Sequence, residues 1–144
     1  MQETKNAPER ARFREIAKKA RTLIAQTLPI EESDEFSLML EYNGFYLKKI
    51  FSETHLFMLL YLMRPLNRPG SKNDVRLINM LNLNDVLGSH AVNTESGYYL
   101  YRTLHWLGVG LTKTRFLEML DYSVGEASQA YMQLARLEGK NESD

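Results

Sequence analysis

Residues 35–51, EFSLMLEYNGFYLKKIF, decide the fold. Asn43-Gly44 stands between two runs of aromatic and branched residues. Both residues tolerate positive φ, which the two-residue type I′ hairpin turn requires. That turn sets the register: Tyr42 opposite Phe45, Leu40 opposite Leu47, Leu38 opposite Lys49 and Phe36 opposite Phe51. Side chains alternate along a strand, so these four pairs share one face. Three pairs are apolar on both sides, and Lys49 is expected to lay its stem along the surface with its charge at the edge. The other face carries Ser37, Met39, Glu41, Tyr46, Lys48 and Ile50, a mixed and partly wet surface.

Working outward, the chain ahead of the hairpin reads as a helix. Phe13, Ile16, Ala17, Ala20, Leu23, Ile24 and Thr27 keep the three-four spacing of one helical face from Arg10 onward. Pro29 ends it. Residues 1–9 are polar, contain Pro8 and are expected to form a loose arm. Seven Lys or Arg against three Glu in the first 30 residues make a local excess of four positive charges. A solvated helix face accounts for that excess. The acidic link Glu31-Glu32-Ser33-Asp34 then leads into the hairpin.

After the hairpin, residues 55–63 (HLFMLLYLM) are almost continuously apolar. That suits a third strand covered on both faces, or one lying at an interface. Residues 64–70 (RPLNRPG) break the pairing. Ser71 with Asp74 three residues on reads as a capping box opening a helix over 73–87, closed by Gly88. Val75, Leu77, Ile78, Met80, Leu81, Leu83 and Leu87 make that helix apolar round most of its circumference, so it is expected to be covered on more than one side, the second by another subunit. Residues 89–93 and 97–106 flank Thr94-Glu95-Ser96 as a second hairpin. In its second strand Tyr98, Leu100, Arg102, Leu104 and Trp106 share one face, and Tyr99, Tyr101, Thr103 and His105 the other. Thr112 caps a last helix with Phe116, Leu120, Val124, Ala127, Tyr131 and Leu134 on one stripe. The order is α-β-β-β-α-β-β-α, an α+β sandwich with helices covering a twisted antiparallel sheet. One domain over 10–138 is expected, with a polar tail over 139–144.

Composition narrows the function. Net charge is zero, so no global field favours nucleic acid or an anionic membrane. The absence of cysteine removes disulfides, thiolate metal sites and cysteine nucleophiles. No apolar run is long enough for a membrane span, and a soluble cytoplasmic protein is the expectation. HExxH, GxSxG, Walker A and GxGxxG sequences are absent. His55, His90 and His105 show no ligand spacing, so neither a metal nor a cofactor is expected. Gly108-Val109-Gly110 reads as a tight turn rather than an anion site. Glu31, Glu32 and Asp34 sit in a linker with nothing apolar to raise a carboxyl pKa. An enzymatic or ligand-binding reading would have to gather Tyr99, Tyr101, Arg102 and His105 around one pocket.

With the element order in view, the chain resembles the class I type III secretion chaperones of the Tir-chaperone (CesT-like) family. The likeness runs from about Phe13 to Leu137. It rests on that order, on residues 77–84 (LINMLNLN), 89–93 and 98–101 (YYLY), and on Gly110-Leu111-Thr112 before the amphipathic last helix. YbjN-like proteins share much of this pattern. The resemblance implies a bacterial cytoplasmic homodimer without ATPase activity or cofactor. It would hold the N-terminal region of one or a few secreted effectors extended and secretion-competent. It further implies a dimer interface at Val75, Leu77, Ile78, Met80 and Leu81, and effector contacts at Phe13, Phe36, Leu38, Met39, Leu40 and Leu47. A regulatory protein that sequesters a protein partner is the alternative.

Overall fold

The structure, a computed structural model, describes residues 2–34, 37–52, 55–107 and 111–137, with side chains from residue 8. Phe36, the Gly108-Val109-Gly110 turn and the 139–144 tail lie outside the described residues. The hairpin forms as its residues dictate. β2 (Ser37–Tyr42) and β3 (Phe45–Phe51) pair with Tyr42 opposite Phe45, Leu40 opposite Leu47 and Leu38 opposite Lys49. Asn43 and Gly44 both take positive φ, 49° and 84°, the combination a primed turn needs.

β4 (Phe57–Pro65) joins β3, and β6 (Tyr98–Trp106) lies between β4 and β5 (Ser89–Asn93). A two-residue strand, β1 (Glu32–Ser33), adds the outermost position, giving the order β1-β2-β3-β4-β6-β5, antiparallel throughout. β1 was not expected; it comes from the acidic link. Asp34 folds that link back: its carboxylate accepts the Ser37 N–H at 2.8 Å and the Ser37 hydroxyl at 2.9 Å. An Asx-type turn of this kind substitutes side-chain acceptors for missing ladder bonds.

Three helices dress one face of the sheet. α1 (Gln2–Thr27) supplies Ala20 and Ile24, α3 (Lys113–Arg136) supplies Phe116, Leu120, Val124, Ala127, Ala130 and Leu134, and α2 (Lys72–Asn84) supplies Ile78. They close over Leu38, Leu40, Phe45, Leu47, Met58, Leu60, Leu62, Tyr99 and Tyr101. Arg64 clamps one end, its guanidinium 4.2 Å from the Tyr131 ring centroid and 5.6 Å from that of Phe45. The Tyr131 hydroxyl donates to the Pro65 carbonyl at 2.6 Å.

Four expectations need correction. Residues expected as an arm are helical from Gln2, with Pro8 inside α1; proline forfeits one backbone bond there, but the turns after it propagate the helix. α2 stops at Asn84 rather than Leu87, because Asp85 turns extended to meet His90. Gly88 is therefore not its cap: a Cβ there would strike the Tyr101 ring, and the glycine allows that close approach. Finally, Lys49 does not reach the edge. It is 0% exposed, covered where α3 lays Phe116 over it, with Nζ 5.0 Å from that ring centroid.

Candidate binding face

β4 explains where the functional surface lies. Its apolar run suggested cover on both faces, yet the strand alternates buried and half-exposed. Met58, Leu60 and Leu62 enter the core; Phe57, Leu59, Tyr61 and Met63 point to the sheet's other face, which no described helix covers. β6 repeats the pattern, with Tyr98, Leu104 and Trp106 exposed and Leu100 half-buried. Cross-strand register sorts this face into rows. Ile50, Leu59 and Leu104 form one; Lys48, Tyr61 and Arg102 the next; Tyr46, Met63 and Leu100 the third. Phe57 stands opposite Trp106 at the far end, their rings edge to face at 5.8 Å. Trp106 remains 65% exposed. Two uncovered apolar rows either side of a cationic one, with Trp106 at the end, suit an interaction surface.

At the third row the face opens into a trough of about 1140 Å³, with Tyr46, Met63, Tyr98 and Leu100 among its lining and Glu41 and Glu95 on its sides. A smaller groove of about 410 Å³ runs between α1 and the β1–β2 edge, lined by Lys18, Arg21, Ala25, Ile30 and Leu38 among others. A second apolar patch lies on α2 and beyond it: Met80 is 60% and Leu83 85% exposed, with Val75, Val86 and Leu87 also exposed.

The expected site residues are distributed as follows. Leu38, Leu40 and Leu47 are buried in the chain's own core, so they cannot reach a partner across a dressed face. Met39 is half-buried on the outer face, and Phe13 is half-buried on α1. In α2, Val75 and Met80 are exposed, Leu77 and Leu81 are half-buried against the core, and Ile78 is only 7% exposed. Sequence reasoning did not single out Leu59, Tyr61, Leu104 and Trp106. The signal was partial: both strands are apolar at both parities, but which face the helices leave open is settled only by the tertiary structure.

No catalytic centre forms from the alternative set. Tyr99, Tyr101 and His105 are buried on the helix side, whereas Arg102 is exposed on the outer face, because neighbours in a strand point oppositely. Burial, then charges nearby, raises both Tyr99 and Tyr101 phenols above their ordinary 10. Asp85, His90 and Glu126 bring one ligand atom each within 4.8 Å of one another. Each atom is already engaged. His90 Nε2 lies 2.6 Å from Asp85 Oδ2 and Nδ1 lies 2.7 Å from the Tyr99 hydroxyl. Glu126 Oε1 accepts the Gly88 N–H at 3.1 Å and the Tyr101 hydroxyl at 3.2 Å. The group fastens the α2–β5 junction to α3. His105 sits apart, its Nδ1 3.0 Å from Lys49 Nζ.

No protein-family model matches the sequence, and a sequence comparison with curated proteins finds no significant match. Solved structures do match. YbjN from E. coli, a proposed transcription regulator, aligns with TM-score 0.62 at 12% identity over 86% of this chain and 92% of that one. The ExsC–ExsE complex aligns with TM-score 0.61 at 14% identity over 82% of this chain and 95% of that one. The ExoT–SpcS complex from Pseudomonas aeruginosa gives 0.53 at 18% identity over 81% and 96%. At these identities the likeness is one of fold. The α+β architecture, an open six-stranded antiparallel sheet with helices, is the fold shared with the YbjN, ExsC–ExsE and ExoT–SpcS structures.

Proposed function

We propose that the protein is a type III secretion chaperone: a non-enzymatic, cytoplasmic bacterial homodimer that holds the N-terminal region of one or more secreted effectors extended, without hydrolysing ATP. The observation that carries this reading is the uncovered outer face, where Leu59, Tyr61, Met63, Leu104 and Trp106 remain accessible. The ExsC–ExsE and ExoT–SpcS structures, both complexes on this fold, support it. No described helix is long and apolar enough to cross a membrane. In this reading the effector segment lies on the outer face, with Met39 at its border, and continues along the groove between α1 and the β1–β2 edge toward Phe13. Leu40 and Leu47 support the sheet from beneath. The test is co-expression with proteins encoded beside it, comparing wild type with Leu59→Glu/Leu104→Glu. We expect the wild type to keep one such protein soluble through its N-terminal segment and the variant to lose it. Equal capture by both removes the face from the mechanism.

The dimer is assigned to the α2 patch, on Val75, Met80 and the outer flanks of Leu77 and Leu81. Ile78 lies beneath and serves the core. Met80→Glu/Leu83→Glu should therefore give a folded monomer in size-exclusion chromatography with light scattering. Ile78→Asp should instead unfold the chain, since burying an uncompensated charge costs roughly 3 kcal/mol or more. A folded dimer in the Met80/Leu83 variant would sink the assignment. The second reading, a regulator that sequesters a protein partner, is favoured by one observation: YbjN fits this fold as well as ExsC does. It predicts capture of a folded regulatory protein rather than an unfolded N-terminal segment.

A further inference from the structure

The outer face is not uniformly apolar. Its middle row places Lys48 and Arg102 on either side of Tyr61, two strand spacings apart, roughly 9–10 Å. Above and below stand the rows of Ile50, Leu59, Leu104 and of Tyr46, Met63, Leu100. Neither Lys48 nor Arg102 has an ion-pair partner among the described residues. In water that is harmless. Under a bound partner it is not: a covered cation must be paired or hydrogen-bonded, or its desolvation opposes binding.

Resting on the reading of this face as the docking surface, we propose that the Lys48–Tyr61–Arg102 row is an acid-binding site. It takes an Asp or Glu of an extended protein segment, flanked two residues away on each side by apolar residues. The spacing follows from the face itself. Successive rows are two residues apart along β4 and β6, and an extended segment advances by the same step. An apolar-x-acidic-x-apolar segment laid along the strands meets Leu59 and Leu104, then the cations, then Met63 and Leu100. The planar Arg102 guanidinium suits bidentate carboxylate binding, and Lys48 contributes a point charge. A second copy centred on this row does not fit. The acids bordering the face are Glu32, beyond Met39 at the β1 end of the same row, Glu41, at the β2 end of the neighbouring row, and Glu95, in the β5–β6 turn. A dyad through Tyr61 would set cations against cations.

The probe is a peptide, GSTLTETLTSG, with a neutral N-terminal fluorophore, compared with versions carrying Gln or Lys in place of its central Glu. Binding is read by anisotropy and by the emission of Trp106, the single tryptophan of the chain. We expect the Glu peptide to bind at least about fivefold more tightly than the Gln peptide, and the Lys peptide weakest. That preference should vanish in Lys48→Met/Arg102→Met and shrink as salt rises from ~50 to ~500 mM. Circular dichroism confirms that the variant is folded. Equal binding of all three peptides with a Trp106 response overturns the acid site but leaves the docking face standing. Absence of binding and of any Trp106 change by every peptide overturns both. A dimer dispersed by Leu104→Glu assigns the face to a second copy and overturns the acid site as well.

Discussion

Replacing Lys49 by methionine is expected to stabilise the protein near pH 6 and to flatten its stability between pH 7 and 9.5. Lys49 is wholly buried, and burial lowers its ammonium from 10.5 to about 7. Its contacts there are soft or neutral: Met58 Sδ at 3.9 Å, His105 Nδ1 at 3.0 Å and the Phe116 ring. In the unfolded chain the amine stays protonated to its ordinary value. Between pH 7 and about 10 the unfolded state therefore binds more protons, and stability rises with pH. At 1.36 kcal/mol per pH unit that window is worth on the order of 4 kcal/mol. Below pH 7 the charge is carried in both states and the whole burial cost is present. Methionine removes the cost, but leaves His105 Nδ1 without its partner, which takes back about 1–3 kcal/mol. The net gain at pH 6 is roughly 2 kcal/mol. Above pH 10 the trend reverses, because the raised phenols of Tyr99 and Tyr101 keep protons that unfolded tyrosines release. Urea denaturation at several pH values between 6 and 9.5 measures the slope. A wild-type slope no steeper than that of Lys49→Met would refute the account.

His105 continues the same trend on the acid side. Burial, then the Lys49 charge, lowers it from 6.5 to about 3. The folded state refuses a proton that the unfolded state takes, so stability climbs from pH 3 to 6.5. Its Nε2 is buried without a hydrogen-bond partner among the described residues, which adds a standing penalty.

The second large effect is at Asp74. Its carboxylate, fully buried as a side chain, receives both Arg68 guanidinium nitrogens at 2.7 and 2.9 Å. It also accepts the Ser71 N–H at 2.8 Å as one arm of the capping box. Arg68 in turn donates to the Leu134 carbonyl at 2.9 Å, so one carboxylate joins the start of α2 to the end of α3. Burial works to raise this carboxyl; the hydrogen bonds of Arg68 and Ser71 and the Arg68 charge together outweigh it and hold it below 3.8. That contribution is present above the ordinary carboxyl range and is lost as pH falls through the lowered value. Asp74→Ala should cost about 3–5 kcal/mol, because it takes the carboxylate from a largely buried guanidinium and removes a cap. Chemical denaturation checks it. A loss below about 1 kcal/mol would place Arg68 in solvent rather than in this clasp.

Why some of this was readable and some was not follows from particular residues. The primed turn at Asn43-Gly44 is local chemistry, so β2 and β3 took the pairing expected of them. Ser71 and Thr112 cap their helices for the same reason: each cap is closed by the N–H three residues on, at Asp74 and at Arg115. Phe13 and Met39 remained accessible, but Leu38, Leu40 and Leu47 are spent on the core. Alternation told which residues share a face without telling which face the helices take.

Local sequence thus determined the three helices, every described strand but β1, and their order, because turn geometry, capping and side-chain period depend on neighbours a few residues apart. Only the tertiary structure decided that all three helices crowd one side of the sheet. That placement buries Lys49 beside His105, sinks Ile78 and leaves the row of Lys48, Tyr61 and Arg102 bare. Those outcomes depend on residues dozens of positions apart meeting in space, and no short stretch of chain records where a helix will come to rest.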